Sequence, residues 1–325
     1  MKVFITGGGG FLGYRLARTL LAQGTLSGPD GKPAPVSRIT LLDTAFPAAA
    51  DPRLHTVTGD LSAPGVIETA LDADTAAVFH LAAVVSAGAE ADFDLGMRVN
   101  LDGTRVLLEA CRRLARPPRL VFASSVAAFG GALPATLDDA TTPTPQTSYG
   151  VQKVIGEYLV TEYSRRGFID GRSLRLPTIV VRPGRPNLAA SSFASAIIRE
   201  PLAGRDYECP VPDTTGIWLL SPRKAIDAFL HALALPAAAW GHHRVLNLPG
   251  ISVTVREAVD AMARIAGARA AARLKFVPDP RITAIVDTWP TRIETPRARA
   301  MGFTADTGID TVIRDHMREE GLAEG

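Results

Sequence analysis

The chain has 325 residues, of which 46% are hydrophobic, and its formal net charge is +2. This length can bury a large core, and the composition is that of a globular enzyme rather than a nucleic-acid binder or a disordered tail. Only two cysteines occur, Cys111 and Cys209, and with no basic leader or long apolar run the sequence indicates a reducing, cytoplasmic location. We therefore expect no metal, no membrane and no nucleic acid among its partners.

The first predicted strand, Val3–Thr6, runs directly into a glycine-rich turn with the spacing TGxxGxxG. The glycines of this pattern are Gly7, Gly10 and Gly13. In that order they permit a tight turn, a close approach of backbone N–H groups to phosphate, and close packing of the next helix. Such a turn can be a plain connection, but leucines at helical spacing follow it. We expect a dinucleotide pyrophosphate at the helix N-terminus, beside Phe11 and Leu12.

Short β-rich runs alternate with helical patterns over the first part of the chain. The runs are Val3–Thr6, Arg38–Asp43, His55–Thr58, Ala77–Ala82 and Leu120–Ala123. This alternation is typical of parallel βαβ units, and the continuous apolar runs suit strands that are buried on both faces. The sequence therefore predicts an α/β fold with a doubly wound parallel sheet of the Rossmann type and a smaller C-terminal lobe that binds substrate.

Asp43 ends the second of these strands, where a carboxylate can accept hydrogen bonds from the hydroxyls of an adenosine ribose. It would repel a 2′-phosphate, and its neighbours supply no compensating cation, so the pattern favours NAD over NADP. The alternative role is an aspartate that caps a turn. After the third strand, Asp60 and Leu61 are expected to contact the adenine.

Two segments read as loops. Gly24–Ser37 is rich in glycine and proline, and we expect a surface loop between the first helix and the second strand. Leu133–Ser148 is rich in proline and threonine, and it is either a lid over the site or a plain connection.

The most specific constellation is Tyr149 with Lys153, four residues apart and therefore on one face of a helix. A free phenol has a pKa of about 10, and a neighbouring ammonium lowers it by favouring the phenolate. Lys153 can also bind the hydroxyls of a nicotinamide ribose. A serine at the end of the preceding strand would orient a substrate hydroxyl towards Tyr149, and both Ser124 and Ser125 stand there.

Several motifs together resemble the extended short-chain dehydrogenases/reductases. They are Thr6–Gly13, Leu81-Ala82-Ala83, Asn100, Ser124–Gly130 and Tyr149–Lys153. The resemblance covers essentially the whole chain. It implies that Ser125, five residues before Gly130, is catalytic, that Tyr149 is the acid/base and that Lys153 activates it. It also implies that Asn100 orders a helix and a relay water, or is a polar residue inside that helix. The remaining cofactor contacts that it implies are Leu81, Ala82, Ala83 and Pro177.

Within this family, nucleotide-sugar epimerases commonly carry an R-x-x-N pattern, but this chain has Thr178 three residues after Arg175. A threonine lacks the combined donor and acceptor of the amide. The stretch Gly171–Gly184 instead resembles the D-erythronate dehydrogenase group, which implies oxidation of the C2 hydroxyl of a short sugar acid. We expect Ser86, Thr178 and Arg182 to contact substrate together with Ser125 and Tyr149, although Arg182 also suits a structural ion pair.

Two other functions remain open from the sequence. One is an NAD-dependent nucleotide-sugar 4-epimerase that uses the same groups, and the other is a non-catalytic dinucleotide sensor. We predict residues 1–182 as the NAD-binding domain, to which later segments return, and residues 183–325 as mainly the substrate lobe. We also predict a homodimer through the helix after Tyr149 and the helix that holds Leu107, Leu108 and Cys111. The alternative is a monomer in which one broad face of that helix is buried.

Overall fold

The structure is a computed structural model that describes residues 1–28, 31–47, 51, 53–184 and 191–323. The strands are β1 (Lys2–Thr6), β2 (Thr25–Ser27), β3 (Pro33–Pro35), β4 (Arg38–Asp43), β5 (Leu54–Thr58), β6 (Thr75–His80), β7 (Arg119–Ser125), β8 (Asp170–Leu176), β9 (Thr178–Ile179), β10 (Tyr207–Cys209), β11 (Gly216–Leu220), β12 (Val245–Asn247), β13 (Ile251–Thr254) and β14 (Leu274–Phe276). The α-helices are α1 (Phe11–Gln23), α2 (Val66–Ala70), α3 (Ser86–Ala91), α4 (Phe93–Gly96), α5 (Gly103–Arg112), α6 (Ser148–Arg165), α7 (Ser192–Leu202), α8 (Pro222–Ala234), α9 (Ala237–Trp240), α10 (Val255–Ala266), α11 (Ala268–Ala271), α12 (Pro280–Val286), α13 (Pro296–Ala300) and α14 (Ile309–Glu319). Met97–Asp102 forms a π-helix, and Val126–Ala128 forms a 3₁₀ turn.

The largest sheet has seven strands in the order β12-β8-β7-β6-β1-β4-β5. The pairings that join β7, β6, β1, β4 and β5 are parallel. Strands β1, β4, β6 and β7 are buried over almost their whole length, as their continuous apolar runs predict. The chain moves outward from β1 to β5 and then returns to β6 on the other side of β1, so the topological switch point lies between β1 and β6. The predicted doubly wound Rossmann sheet is confirmed.

Two local predictions differ from the structure. The strand predicted at Ala77–Ala82 ends at His80, and its partner strand β1 ends at Thr6, the residue that pairs with His80, before the glycine turn. The segment predicted as the loop Gly24–Ser37 contains an antiparallel hairpin of β2 and β3, which the paired main chain stabilises; residues 29 and 30 lie outside the described part.

The chain divides into two compact units. The first comprises Met1–Ala128, Pro145–Arg175 and Ile226–Leu246, and it carries nearly all of the seven-stranded sheet. The second comprises Phe129–Thr144, Leu176–Ala225 and Asn247–Gly325. The division of functions at residue 182 that the sequence suggests remains a proposal.

The second unit has its own apolar core. In it β11 pairs with β13 in antiparallel fashion and with β9 in parallel, and helices α7, α10 and α14 supply buried side chains. Part of the predicted lid or connection is anchored here, because Leu137 exchanges main-chain hydrogen bonds with Arg292 and Glu294.

Three further features concern possible membrane helices, possible metal ligands and the cysteines. Within the described residues, no helix combines the length and apolar character needed to cross a membrane. Across the same part of the chain, His, Cys, Asp and Glu side chains form no group of three or more that could hold a metal ion. Cys111 and Cys209 are free and buried.

Candidate active site

The glycine turn at the end of β1 is held in a conformation that other residues cannot adopt. Gly7 has a φ of +71°, and a Cβ on it would lie 2.7 Å from the Ala82 nitrogen. A Cβ on Gly13 would lie 2.1 Å from the Gly7 carbonyl oxygen, so the first turn of α1 packs directly on the loop. Both positions therefore require glycine.

Asp43 closes the other side of this turn. Its Oδ2 accepts hydrogen bonds from the amides of Gly9 and Gly10 at 3.0 and 3.1 Å, and its Oδ1 accepts one from the Thr44 amide at 2.7 Å. Above exposed Gly10 the surface is open, since a Cβ there would meet only the Gly7 carbonyl at 3.2 Å and Asp43 Oδ2 at 3.9 Å. An open helix N-terminus beside a carboxylate fits the pyrophosphate and adenosine ribose of NAD. Phe11 and Leu12 form the first helical residues at this end.

The segment Leu81–Ala83 leaves β6 beside the glycine turn. The Leu81 amide donates to the Thr6 carbonyl at 3.1 Å, and the Ala82 amide donates to Thr6 Oγ1 at 3.3 Å. These predicted cofactor contacts therefore lie at the switch point between β1 and β6, where open α/β sheets bind their ligands.

Asp60 and Leu61 follow β5. Asp60 Oδ1 accepts hydrogen bonds from the amide and the hydroxyl of Ser62 at 2.8 and 2.6 Å, and these bonds lower the pKa of Asp60. Leu61 is only 5% exposed and packs in the core of the first unit against Gly103. Little of its side chain is left for the adenine contact that the sequence suggested.

Lys153 and Tyr149 share one face of α6, which Thr147 caps by accepting a hydrogen bond from the Gly150 amide. Lys153 is 3% exposed, and its Nζ donates to the Ala123 carbonyl at 2.8 Å and lies 5.5 Å from the centre of the Tyr149 ring. Burial lowers the pKa of Lys153 to about 7, and the charge of Glu157 opposes this shift. The side-chain amine of Lys153 therefore loses its proton more readily than that of a free lysine.

The two candidate serines have different environments. Ser124 is buried, and its hydroxyl donates to Glu157 Oε1 at 2.5 Å, while Arg175 binds both oxygens of Glu157 at 2.8 and 2.7 Å. Ser125 is half-buried at the carboxyl end of β7, and within the described residues its hydroxyl accepts a single hydrogen bond, from the Ala127 amide at 3.1 Å. This difference favours Ser125 over Ser124 as the substrate contact.

Asn100 lies in the π-helix. This geometry is rare in proteins, and where it occurs it is often found at a functional site. Its Oδ1 accepts from the Val84 amide at 2.8 Å, and its Nδ2 donates to the Val84 carbonyl at 2.9 Å and to Gln152 Oε1 at 2.7 Å. The side chain therefore joins the turn after β6 to α6, the helix of Tyr149 and Lys153.

His80 is a buried residue of this region that sequence analysis missed. Its Nδ1 lies 2.6 Å from Thr6 Oγ1 and its Nε2 lies 2.8 Å from Thr104 Oγ1, and Thr104 in turn donates to the Asn100 carbonyl at 2.6 Å. Burial, aided by the charge of Lys153, lowers the pKa of His80 to about 3, so the ring is neutral. The sequence signal that could have led to it is Thr104, four residues after Asn100 on the same helical face.

The predicted substrate residues fall in both units. Ser86 is the first residue of α3 in the first unit and is half-buried. Pro177 is buried between β8 and β9, and Thr178 opens β9 opposite Leu219, both in the second unit. Arg182 follows in the same unit, and its main chain is bound by two side chains of α7. The roles of these residues remain predictions.

A family-level comparison identifies the enzyme class. Residues 3–243 match the NAD dependent epimerase/dehydratase family. The chain belongs to this family. NAD as cofactor and the class of NAD-dependent dehydrogenase, both predicted from the sequence, are confirmed.

Individual members of the family are similar over the full length. The chain is 56% identical over 325 residues to a D-erythronate dehydrogenase of Cupriavidus necator, covering 100% of both chains. It is 45% identical to a D-erythronate dehydrogenase of Haemophilus influenzae, over 97% of this chain and 98% of that protein. A solved structure described as a nucleoside-diphosphate-sugar epimerase from Agrobacterium tumefaciens is 42% identical, with a TM-score of 0.92 over 98% of this chain and 94% of that one.

Proposed function

We propose that the protein oxidises the C2 hydroxyl of D-erythronate to give 2-dehydro-D-erythronate, with NAD as the oxidant. The observation that carries this proposal is the similarity to the Cupriavidus necator D-erythronate dehydrogenase. The two sequences are 56% identical, and the match covers the full length of both. The 45% identity to the Haemophilus influenzae enzyme supports it independently.

In the proposed reaction Tyr149 acts as the base. As phenolate it removes the proton of the C2 hydroxyl, and Lys153, with its Nζ 5.5 Å from the ring centre, stabilises the negative charge. The carbonyl of Ala123 accepts a hydrogen bond from that ammonium at 2.8 Å and so restrains its position. Bound NAD supplies the hydride acceptor for the carbon that carries the hydroxyl.

Other residues orient the substrate in this proposal. Ser125 hydrogen-bonds the reacting oxygen and directs it towards Tyr149. Thr178 bonds a hydroxyl of the sugar acid, and Arg182 binds its carboxylate, for which the planar guanidinium offers two parallel donors. Asn100 fixes α6 through Gln152 and the turn after β6.

A panel of four- to six-carbon aldonates, assayed for NADH formation, tests the substrate. We expect the highest kcat/KM with D-erythronate, because the two relatives that carry its name match 100% and 97% of the chain. Absence of NADH formation with every aldonate contradicts the proposal.

Tyr149→Phe tests the base. We expect NAD affinity to be retained and kcat to fall about 1000-fold, since general acid–base catalysis contributes ~100- to 10,000-fold. Tyr158→Phe, a change of the same kind at an exposed position of α6, is the matched control and should be silent. A wild-type rate in Tyr149→Phe would remove Tyr149 from the mechanism.

A second candidate is a nucleotide-sugar 4-epimerase, which the description of the Agrobacterium tumefaciens structure favours. Ser125, Tyr149 and Lys153 would then act on a hydroxyl of the sugar, without net oxidation or reduction of the cofactor. Incubation with UDP-sugars separates the candidates: an epimerised product without net NADH favours this function, and NADH build-up with a sugar acid favours ours.

We also propose a cytoplasmic homodimer. The exposed apolar side chains Val151 (42%) and Tyr158 (70%) lie two helical turns apart on α6 and suit a partner subunit. On α5, however, Leu107 and Cys111 are buried in the core of their own unit, so other side chains of that helix would make the contact. Sedimentation of the wild type and of Tyr158→Lys tests this; a monomer mass at every concentration of wild type contradicts it.

A further inference from the structure

Helix α7 carries charged and polar side chains where an apolar surface is expected. Nearly all of its residues are buried, among them Phe193, Ile197 and Ile198 of the second unit's core. Ser195, Arg199 and Glu200 are buried with them, and Arg199 is only 8% exposed. Polar and charged groups in such a position cost free energy unless their partners compensate.

Two of these side chains bind a single residue, Arg182. Ser195 Oγ accepts a hydrogen bond from the Arg182 amide at 3.0 Å, and Arg199 Nη1 donates to the Arg182 carbonyl at 2.6 Å. Because Ser195 and Arg199 are four residues apart, they lie on one face of α7, and together they bind both main-chain polar groups of Arg182.

Arg199 is a costly way to satisfy one carbonyl. Its Nε pairs with Glu200 at 2.7 Å, Glu200 also binds Arg205 at 2.6 Å, and Arg199 Nη2 has no hydrogen-bond partner within the described residues. A buried ion pair of this kind is often no more stabilising than apolar residues of similar size. Stability alone therefore does not account for the arrangement, whereas placement of Arg182 does.

Arg182 ends a short segment, Thr178–Arg182, and β11 fixes the other end of this segment. Thr178 and Ile179 pair with Leu219 and Leu220, and the Val180 amide donates to the Leu220 carbonyl at 3.1 Å. The main chain from Thr178 to Arg182 is thus bound at both ends inside the second unit, so the spacing of these two residues is set by the fold.

We propose that Ser195 and Arg199 are positioning residues that fix Arg182 for binding the carboxylate of the substrate. The inference rests on the proposed function, in which Arg182 makes that contact. Bidentate binding of a carboxylate depends on the orientation of the guanidinium, so loosening the Arg182 main chain weakens substrate binding without touching the cofactor.

Steady-state kinetics of Ser195→Ala and Arg199→Met test this. We expect KM for D-erythronate to rise about 10- to 30-fold in each, within the ~100-fold that a small misplacement can cost, while KM for NAD changes less than about twofold. Arg205→Gln is the matched control, because it breaks the second pairing of Glu200 without touching Arg182. Arg199→Lys keeps one donor and should recover part of the loss.

A double-mutant cycle with Arg182→Ala separates positioning from a merely structural role. If Ser195 and Arg199 act through Arg182, then Ser195→Ala and Arg199→Met produce no further rise in KM for D-erythronate in the Arg182→Ala background. Full additivity of the effects overturns the inference, and so does an equal rise of both KM values together with a lowered Tm.

Ser195→Ala also covers the case in which Arg199→Met fails to fold, because it changes no charge. A wild-type enzyme that oxidises D-erythronate while Ser195→Ala keeps the wild-type KM contradicts the inference alone. A wild-type enzyme that oxidises no aldonate contradicts the proposed function and the inference with it.

Discussion

The glycine turn of the first unit and the Thr178–Arg182 segment of the second fix their atoms in different ways. The turn is built by the main chain, with Gly7 and Gly13 in contact across it and one carboxylate beside it. The segment is held by side chains that arrive from another helix and by pairing to β11. Where the shape of the main chain fixes the arrangement, only certain residues are tolerated and the sequence shows it. Where side chains from distant elements fix it, the local sequence is less restricted and does not reveal the arrangement.

Gly13→Ala tests the glycine turn, which the main chain builds, and we expect the largest loss of stability and of NAD binding here. A Cβ would lie 2.1 Å from the Gly7 oxygen, so α1 has to move, at a cost of about 3 kcal/mol or more, with loss of NAD binding. Denaturant unfolding measures the loss of stability, and NAD titration measures the loss of cofactor binding. Gly24→Ala is the control: nothing lies within 4 Å of the new Cβ, so only the cost of its positive φ of +66°, about 1 kcal/mol, is expected. Equal effects at the two glycines would contradict the argument.

Asp43→Ala tests the carboxylate that binds the main chain of the glycine turn. We expect Kd for NAD to rise about 30-fold, because charge-assisted bonds are worth ~1.5 to 3 kcal/mol, while NADP binding is less affected. Calorimetric titration with both cofactors gives the ratio. Asp74→Asn, an exposed aspartate that pairs with Lys2, is a suitable control. An unchanged preference for NAD means that Asp43 only caps the turn.

Glu157→Gln tests whether distant side chains also control the site around Tyr149 in the first unit, as they hold the Thr178–Arg182 segment in the second. Burial lowers the pKa of Lys153 and Glu157 raises it, so removing the carboxylate lowers that pKa below about 7. The alkaline limb of the kcat/KM profile then moves to lower pH, and activity at neutral pH falls about tenfold. Glu162→Gln, on the exposed side of the same helix, should leave the profile in place. A uniform loss of rate with no shift of the limb would mean that Glu157 is only structural.

His80→Gln should have the smallest effect on turnover at neutral pH, but it should change the acid stability. The pKa of His80 is about 3 in the folded chain, against 6.5 for an ordinary histidine, so the unfolded chain binds an extra proton between these values. Stability of the wild type therefore falls as the pH drops from 6.5 towards about 3, and it is unaffected above 6.5. Urea unfolding across this range should show a shallower fall for the variant; parallel curves would contradict the shift.

Much of the fold was predictable because it depends on local pattern. Apolar runs gave five strands of the large sheet within about two residues at each end, and the glycine spacing gave the turn and the start of α1. The hairpin within Gly24–Ser37 was missed, since turn-forming residues hide its strands.

The site was predictable only in part. The spacing of Tyr149 and Lys153 is a helical property, and the structure brings their side chains together. His80 and Glu157 were missed because their importance comes from burial and from partners on other elements. Ser195 and Arg199 gave no signal at all, since a serine and an arginine in a helix say nothing about which main-chain groups they will meet. The roles assigned to Ser86, Thr178 and Arg182 stay predictions for the same reason.

The crowding around the glycine turn also restricts how the cofactor preference can be re-engineered. A cation for a 2′-phosphate cannot be added at Gly8 or Gly9, where a Cβ would lie 2.6 Å from Leu41 Cβ and 1.9 Å from the Ala45 oxygen. Thr44 is exposed and has room for a long side chain. Directed evolution towards NADP therefore has to start at Thr44, and libraries that randomise the glycines will return mostly unfolded protein.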